Sequence, residues 1–383
     1  MTATRSTPVR TAILGLMVMA HMALLAPRVR ASVQDRPPPT LGIASTSDEY
    51  GQAIEDARAI VREVMGESGI PGISVAVGFH GSVVWSEGFG FADLEHSVPV
   101  TTLTKFRVGS VSKPITAAAM GLLMEAEKLD LDAPVQDYVP DFPEKRWPVT
   151  VRQVAGHIAG IRHYRGNENL SGRRYSSVTE GLDIFESDPL LFEPGTQYSY
   201  SSYGWNLLSA VVEGASGRAF LSLMRDSVFE PLEMRHSLAG YTDSIISDRT
   251  SFYERNGEGT VLNAPYVDNS YKWAGGGFLS TPEDLIRFGS AHLEPGFLEA
   301  ETLETLFTSQ RLSDGETTHY GVGWRTVTNE DGHHIVSHGG GSVGGTTMLI
   351  VNRDSGLVVA AVGNLSQGPI AGMARRIVVV FSR

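Results

Sequence analysis

Residues 105–125, KFRVGSVSKPITAAAMGLLME, hold the most informative change of pattern in the chain. A Pro-free approach runs into Gly109-Ser110, and from Lys113 to Leu129 the chain turns rich in Ala, Leu and Met, which favours helix. Ser110 stands at that entry and Lys113 follows three places on. Residues three apart on a helix are neighbours, about 5–6 Å between Cβ atoms, so the lysine sits one turn deeper within reach of the serine. A serine hydroxyl is a poor nucleophile near neutral pH and needs an adjacent base. A lysine amine serves once burial and a nearby cation lower its pKa. The positive end of the helix dipole favours an oxyanion at the serine. Taken alone, Ser-x-x-Lys also describes a serine N-cap followed by a solvated lysine, so the flanking sequence has to decide.

Upstream, residues 48–65 place Ile54, Ala57, Val61, Val64 and Met65 at helical spacing, with Asp48 as the expected cap. Pro71-Gly72 breaks the chain, and the β-rich runs 73–79 and 82–89 flank His80-Gly81, which reads as a hairpin turn. Downstream, four prolines between 130 and 150 make that stretch loop. Helices are expected at 151–157, 206–214, 221–228, 282–293 and 301–306. Strands return at 320–327, 334–337, 346–352 and 357–363, followed by a closing helix over 369–381. Strands at both ends around a helical middle imply that the two ends meet in one unit, with the helical part, residues 113–310, inserted.

Before this unit, 32–47 (SVQDRPPPTLGIASTS) is polar and Pro-rich and reads as a linker. Arg5 and Arg10 precede an apolar run over 12–26, and Val29-Arg30-Ala31 offers a small-residue cleavage site. Residues 1–31 therefore read as a secretory signal, which predicts an exported, periplasmic or secreted protein. The run is short for a membrane span, which needs about 20 apolar residues. An uncleaved segment would make it the one possible membrane tether. A mitochondrial presequence is the other reading, opposed by the uninterrupted hydrophobicity. A formal charge of −12 argues against a nucleic-acid partner. With no cysteine, thiol nucleophiles, disulfides and thiolate-bound zinc are excluded.

Two further segments carry chemistry. Residues 193–204, EPGTQYSYSSYG, form a turn leading into a loop rich in tyrosine and serine, and a phenol held near a lysine can pass a proton to a leaving group. Residues 338–345, HGGGSVGG, follow a strand, and glycines there bring exposed backbone N–H groups close to a ligand. Packing and loop hydrogen bonds, or a bulged turn, would explain either segment singly.

In this order, the three elements resemble those of the serine β-lactamase and penicillin-binding superfamily, whose first motif is Ser-x-x-Lys. The likeness is to its class C-like branch of esterases and DD-peptidases, with Tyr-x-Asn after Pro-Gly-Thr as middle motif and Lys/His-x-Gly as third. Within that branch it is most specific to the mitochondrial β-lactamase-like serine protease of animals and its bacterial relatives. It rests on KLDLDAPVQDYVPDFPEK, GIRHY, PYVDNSYKWAGGGFLST and SHGGGSVGG and covers residues 50–383. The resemblance implies an α/β (α+β) β-lactamase/transpeptidase-like fold over 48–383, an antiparallel sheet flanked by the terminal helices. It implies Ser110 as acylated nucleophile, Lys113 as its base, Tyr200 as proton donor to the leaving group, and His338 in the place of the third-motif cation. The N–H groups of Ser110 and Gly341 would form the oxyanion hole, with Ser202 and Gly340 as further substrate contacts.

Departures from the pattern bear on substrate. Ser202 replaces the asparagine, Gly339 replaces a threonine, and a histidine at 338 lowers positive charge at neutral pH. All three weaken recognition of an anionic β-lactam or D-Ala carboxylate and leave the acylation machinery intact. The expected activity is that of a peptidase, DD-carboxypeptidase-like enzyme or amidase, without metal or cofactor. A carboxylesterase or weak β-lactamase is the alternative on the same fold, and a non-catalytic scaffold the alternative of another class. The partner is a small peptide, ester or β-lactam-like substrate, and an oligomer is possible. His157 reads as a loop brace. His333-His334 has no third ligand at metal spacing. Tyr271, Lys272 and Trp273 either line the cleft or pack beside glycines 275–277.

Overall fold

The hairpin expected at His80-Gly81 forms, with positive φ at both residues (45° and 84°) as a tight two-residue turn requires. The computed structural model describes residues 1–2, 40–44, 48–330 and 332–383. The chain divides into two units, Met1–Pro37 and Pro38–Arg383. The expected leader lies, apart from its first two residues, outside the described residues, so the architecture that follows is that of the second unit.

In chain order the elements begin with β1 (Thr40–Ala44), α1 (Gly51–Ser68), β2 (Gly72–Phe79) and β3 (Ser82–Asp93). Short strands β4 (Val98–Pro99) and β5 (Phe106–Arg107) precede a 3₁₀ turn, Gly109–Val111, and helix α2 (Ser112–Glu125). The middle contains α3 (Val151–Ala155), α4 (Ser202–Ser216), α5 (Phe220–Met224), β6 (Leu238–Ala239), β7 (Tyr253–Arg255) and β8 (Val261–Asn263). It continues through α6 (Trp273–Gly276), β9 (Phe278–Ser280), α7 (Pro282–Ser290) and α8 (Ala300–Phe307). The chain closes with β10 (Arg325–Thr328), β11 (His334–Ser342), β12 (Gly345–Asn352), β13 (Leu357–Gly363) and α9 (Ile370–Phe381).

The main sheet is antiparallel, in the order β1-β3-β2-β13-β12-β11-β10, with β4 on β3. Its centre joins the two ends of the chain: β2 pairs β13 with Ile73 opposite Gly363 and Phe79 opposite Leu357. Both faces are covered, which is why these strands read as nearly continuous apolar runs. Val75, Val77, Val359 and Ala361 face α1 and α9, packing with Val61, Val64, Met373 and Ile377. Ala76, Val358, Ala360 and Val362 turn to the other side and meet α2 and α7. Each fully buried Val or Ile side chain stabilises this two-sided core by about 1.5–3 kcal/mol. Packing is close enough that a Cβ on Gly78 would lie 2.4 Å from Ile286 Cγ2.

Helix α2 runs through the centre of the helical part. Every residue from Ser112 to Gly121 is buried, so the helix has no solvent face and its apolar residues show little periodicity.

Three expectations need correction. Residues 40–44 of the expected linker form β1, a strand added along β3 from Trp85 to Phe89. Asp48 does not cap α1; it opens a 3₁₀ turn, and Tyr50 precedes the helix. The mostly helical region 113–310 also holds strands for which no expectation was made: β9 pairs β5 and β6 in a small sheet, and β7 pairs β8. Strands of two or three residues are too short to show period-2 alternation. The strand expected to end at residue 337 runs on to Ser342: Gly339–Gly341 continue β11, and Val343-Gly344 turns the chain into β12.

Candidate active site

Ser110 sits in the 3₁₀ turn ahead of α2, and Lys113 lies in the first turn of the helix itself. The amine of Lys113 is 3.1 Å from Ser110 Oγ, 3.2 Å from Ser202 Oγ and 2.8 Å from the carbonyl of Gly275. No part of the lysine is exposed, while Ser110 is half-buried and reachable. Burial pushes the amine well below the ordinary lysine range, and the charge of Lys272 pushes it the same way.

Tyr200 closes the group. Its ring lies 4.8 Å from Lys113 Nζ. Burial raises the phenol above its usual pKa, so Tyr200 is a neutral O–H that can donate. The cation that adds to burial in lowering the Lys113 pKa is Lys272.

A single segment, residues 157–163, positions the middle motif. Ser201 N–H donates to His157 Nδ1 at 3.1 Å, Ser202 N–H donates to His163 Nδ1 at 3.1 Å, and Ser201 Oγ donates to the Arg162 carbonyl at 2.7 Å. Ser201 Oγ also accepts from Gly204 N–H as the N-cap of α4. Arg162 is itself held by Glu168 and Asp188. His157, with φ of 63°, packs on Tyr200 with the rings tilted by 42° and their centres 4.3 Å apart, which agrees with a bracing role. Burial lowers the pKa of His163 to about 4, with the charges of Lys113 and Lys272 acting in the same sense. The string GIRHY contained these residues, but nothing in its local pattern announced their partners forty residues on.

Strand β11 forms the opposite wall. A Cβ on Gly340 would lie 2.0 Å from the carbonyl oxygen of Val108, and one on Gly109 (φ 51°) would lie 2.6 Å from the carbonyl of Gly341. Only glycine allows the strand to press against the Ser110 turn this closely. Ser342 and Gly345 close the tight turn to β12. Alternation from that hydrogen-bonded pair aims the N–H of Gly341 away from β12, toward the serine side. Gly340 has the other orientation, paired with Thr347 in the ladder. It permits close approach and does not offer the substrate contact expected of it.

His338 also departs from expectation. It is buried, its Nδ1 lies 2.7 Å from the Gly339 carbonyl, and its Nε2 lies 2.9 Å from the Tyr320 hydroxyl. The carbonyl requires N–H at Nδ1, so Nε2 accepts from the tyrosine. Burial, then the charge of Lys113, holds the pKa down to about 3. The residue is a neutral, doubly bonded imidazole, not a cation. Ser202 likewise differs from an asparagine reaching toward substrate, since its hydroxyl bonds Lys113. Among the described residues, no cluster of three His, Asp or Glu side chains could hold a metal. His333 bonds Asn352 and His334 bonds Asp354.

Comparison with known proteins agrees with this geometry. Residues 57–380 match the family described as Beta-lactamase. The human serine beta-lactamase-like protein LACTB, mitochondrial, is 32% identical over 87% of this chain and 80% of its own length. Penicillin-binding protein 4* of Bacillus subtilis is 29% identical over 70% of this chain and 63% of its own. Among solved structures, the octameric penicillin-binding protein homologue from Pyrococcus abyssi superposes with a TM-score of 0.75. It is 26% identical, over 86% of this chain and 77% of that one.

Proposed function

The chain belongs to the beta-lactamase family, and from that premise we propose that it is a serine hydrolase of amide or ester bonds, working through an acyl-enzyme on Ser110. The observation that carries this reading is the burial of Lys113: an amine with no exposed surface, 3.1 Å from Ser110 Oγ. A neutral amine has two N–H bonds and one lone pair. With the N–H bonds directed at the Gly275 carbonyl and Ser202 Oγ, the lone pair faces the Ser110 hydroxyl.

Lys113 takes the Ser110 proton as Oγ attacks the substrate carbonyl, and the oxyanion is received by the N–H groups of Ser110 and Gly341. As the bond to the leaving nitrogen or oxygen breaks, Tyr200 gives that atom its proton and is reprotonated from the Lys113 ammonium. Water then attacks the ester, its proton returning through the same groups, and frees Ser110.

Peptidase, DD-carboxypeptidase-like or amidase chemistry fits better than efficient β-lactam hydrolysis, because β11 carries the neutral His338–Tyr320 pair where a recognising cation would stand. Oligomer formation, and export directed by residues 1–31, belong to the same proposal. Wild-type protein should react with a fluorophosphonate probe and turn over neutral p-nitrophenyl esters. Ser110→Ala should lose both, by on the order of 10⁴-fold or more in kcat. Undiminished labelling of that variant would remove Ser110 from the scheme.

A further inference from the structure

Lys272 is the other lysine of this region, and the mechanism does not use it. It follows the turn Ser270–Lys272 into α6, is 5% exposed, and lies with its Nζ 5.2 Å from the ring centre of Tyr271 and 5.4 Å from that of Tyr164. Tyr164 follows His163, whose Nδ1 accepts from Ser202 N–H, and Ser202 Oγ touches Lys113. Lys272 leads directly into α6, whose Gly275 carbonyl accepts from Lys113 at 2.8 Å, and its charge adds to burial in lowering the pKa of both Lys113 and His163.

No acid balances this lysine among the described residues. The two nearest along the chain and in the loop that packs on it are engaged elsewhere. Asp268 accepts from Thr242 Oγ1 at 2.5 Å and from Ser270 N–H at 2.8 Å. Glu168 is bonded to Arg162, to Arg165 N–H and to the Tyr203 hydroxyl. The charge acting on Lys272 is another cation, Arg107. Burial lowers the Lys272 pKa to about 7, and a buried ammonium without a counter-ion opposes folding. Two flanking aromatic faces offset part of that, yet they cannot supply a negative charge. This protein has 43 acidic residues against 31 Lys and Arg. A lysine left unpaired at the start of α6, in so acidic a chain, is arranged to meet an anion from outside.

We propose that Lys272, held between Tyr164 and Tyr271 in the turn leading to the α6 carbonyl that binds Lys113, is the anion subsite of the cleft and receives a carboxylate carried by the substrate. The inference rests on the hydrolase reading above and sharpens it. The positive charge absent from β11 comes from the turn before α6, so the carboxylate approaches from the α4–α6 side. An acidic group on the acyl portion and a free carboxylate on the leaving portion share this chemistry, and the experiment separates them.

On the full chain, kcat and KM are compared for mono-p-nitrophenyl succinate and its succinamic (amide) analogue, which place the carboxylate on the acyl side. Acetyl-D-Ala-D-Ala and its C-terminal amide place it on the leaving side. Lys272→Met should raise KM for the charged member of one pair relative to its neutral partner by about tenfold or more, whatever change in kcat the two members share, and Lys272→Arg should restore the preference. Equal losses for charged and neutral members, with fluorophosphonate labelling of Ser110 intact, would overturn the subsite. A second measurement does not depend on turnover. In the Ser110→Ala protein, glutarate should bind saturably by calorimetry, and addition of Lys272→Met should abolish that binding. Glutarate binding unchanged by Lys272→Met would overturn the proposal even if the enzyme proved inactive. Loss of labelling and turnover in wild type, with Lys272-dependent glutarate binding retained, would sink the hydrolase reading and leave the subsite standing.

Discussion

The two walls beside Ser110 solve opposite problems. On the α2–α6 side, side chains do the chemistry: Lys113 and Lys272 are both buried, both lack an acid partner among the described residues, and both are pushed below the ordinary lysine range. On the β11 side, the backbone acts and the side chains are withdrawn. Gly340 lets the strand close on the serine turn, and His338 is locked against Tyr320 and its own neighbour's carbonyl. The comparison teaches that acylation and anion recognition, commonly read from one motif set, are separable here. The proposed mechanism assigns the first to α2, and β11 holds a neutral histidine where the second would need a charge.

The largest break in the comparison comes from the first wall. Lys113→Met removes the base and should lower kcat/KM by about 10²–10⁴-fold on neutral esters, with the fold retained because the methionine fills a similar buried volume. In wild type the sign of the pH dependence follows from the base being active when neutral: kcat/KM rises with pH through the Lys113 pKa. That acid limb should lie well below the ordinary lysine value of 10.5, and should move upward in Lys272→Met, where one neighbouring positive charge is gone. A limb unmoved by that substitution would break the pairing of the two lysines.

Next in size is Tyr200→Phe. If the phenol delivers the proton to the leaving atom, amide substrates should lose about 10²-fold in kcat. A p-nitrophenyl ester, whose leaving group departs as a stable anion, should lose far less. Equal losses on both would mean that Tyr200 acts by packing against Lys113 and His157.

The smallest effect on activity belongs to the second wall. Tyr320→Phe should change turnover of neutral esters by less than about threefold, since His338 accepts its hydrogen bond outside the reacting group. Stability should fall by about 1–3 kcal/mol in urea unfolding, the cost of leaving a buried acceptor unsatisfied. Acid sensitivity follows from the same wall and its neighbours. His157, His292 and His338 are buried, and burial holds them neutral, His292 at about 4 and His338 at about 3. Unfolded, each would titrate near 6.5, so between these values the unfolded chain binds more protons. The stability they support is fully present above about pH 6.5 and falls by about 1.4 kcal/mol per pH unit for each histidine as pH drops. A flat stability curve from pH 7 to 5 would contradict the neutral assignment.

Much of the frame was legible in order along the chain. The hairpin at His80-Gly81, the run from Leu357 to Gly363, the terminal helix and the Ser110–Lys113 spacing all express neighbours within one turn or one strand, which local periodicity reports. Where pattern was short or degenerate, it fell short. Two-residue strands such as β5 and β6 show no alternation, and a run of glycines reads as the end of a strand whether or not a partner strand extends it.

By itself, then, the sequence determined the α/β layout, the meeting of its ends in one sheet, and the pairing of a serine with a lysine one helical turn away. Tertiary structure alone decided which basic groups carry charge at that serine. Lys272 arrives from about 160 positions further along the chain, and Tyr320 neutralises the role of a histidine 18 positions later. The physical reason is that hydrogen bonding between near neighbours is local, whereas desolvation and the field acting on an amine or imidazole depend on everything the whole chain packs around it.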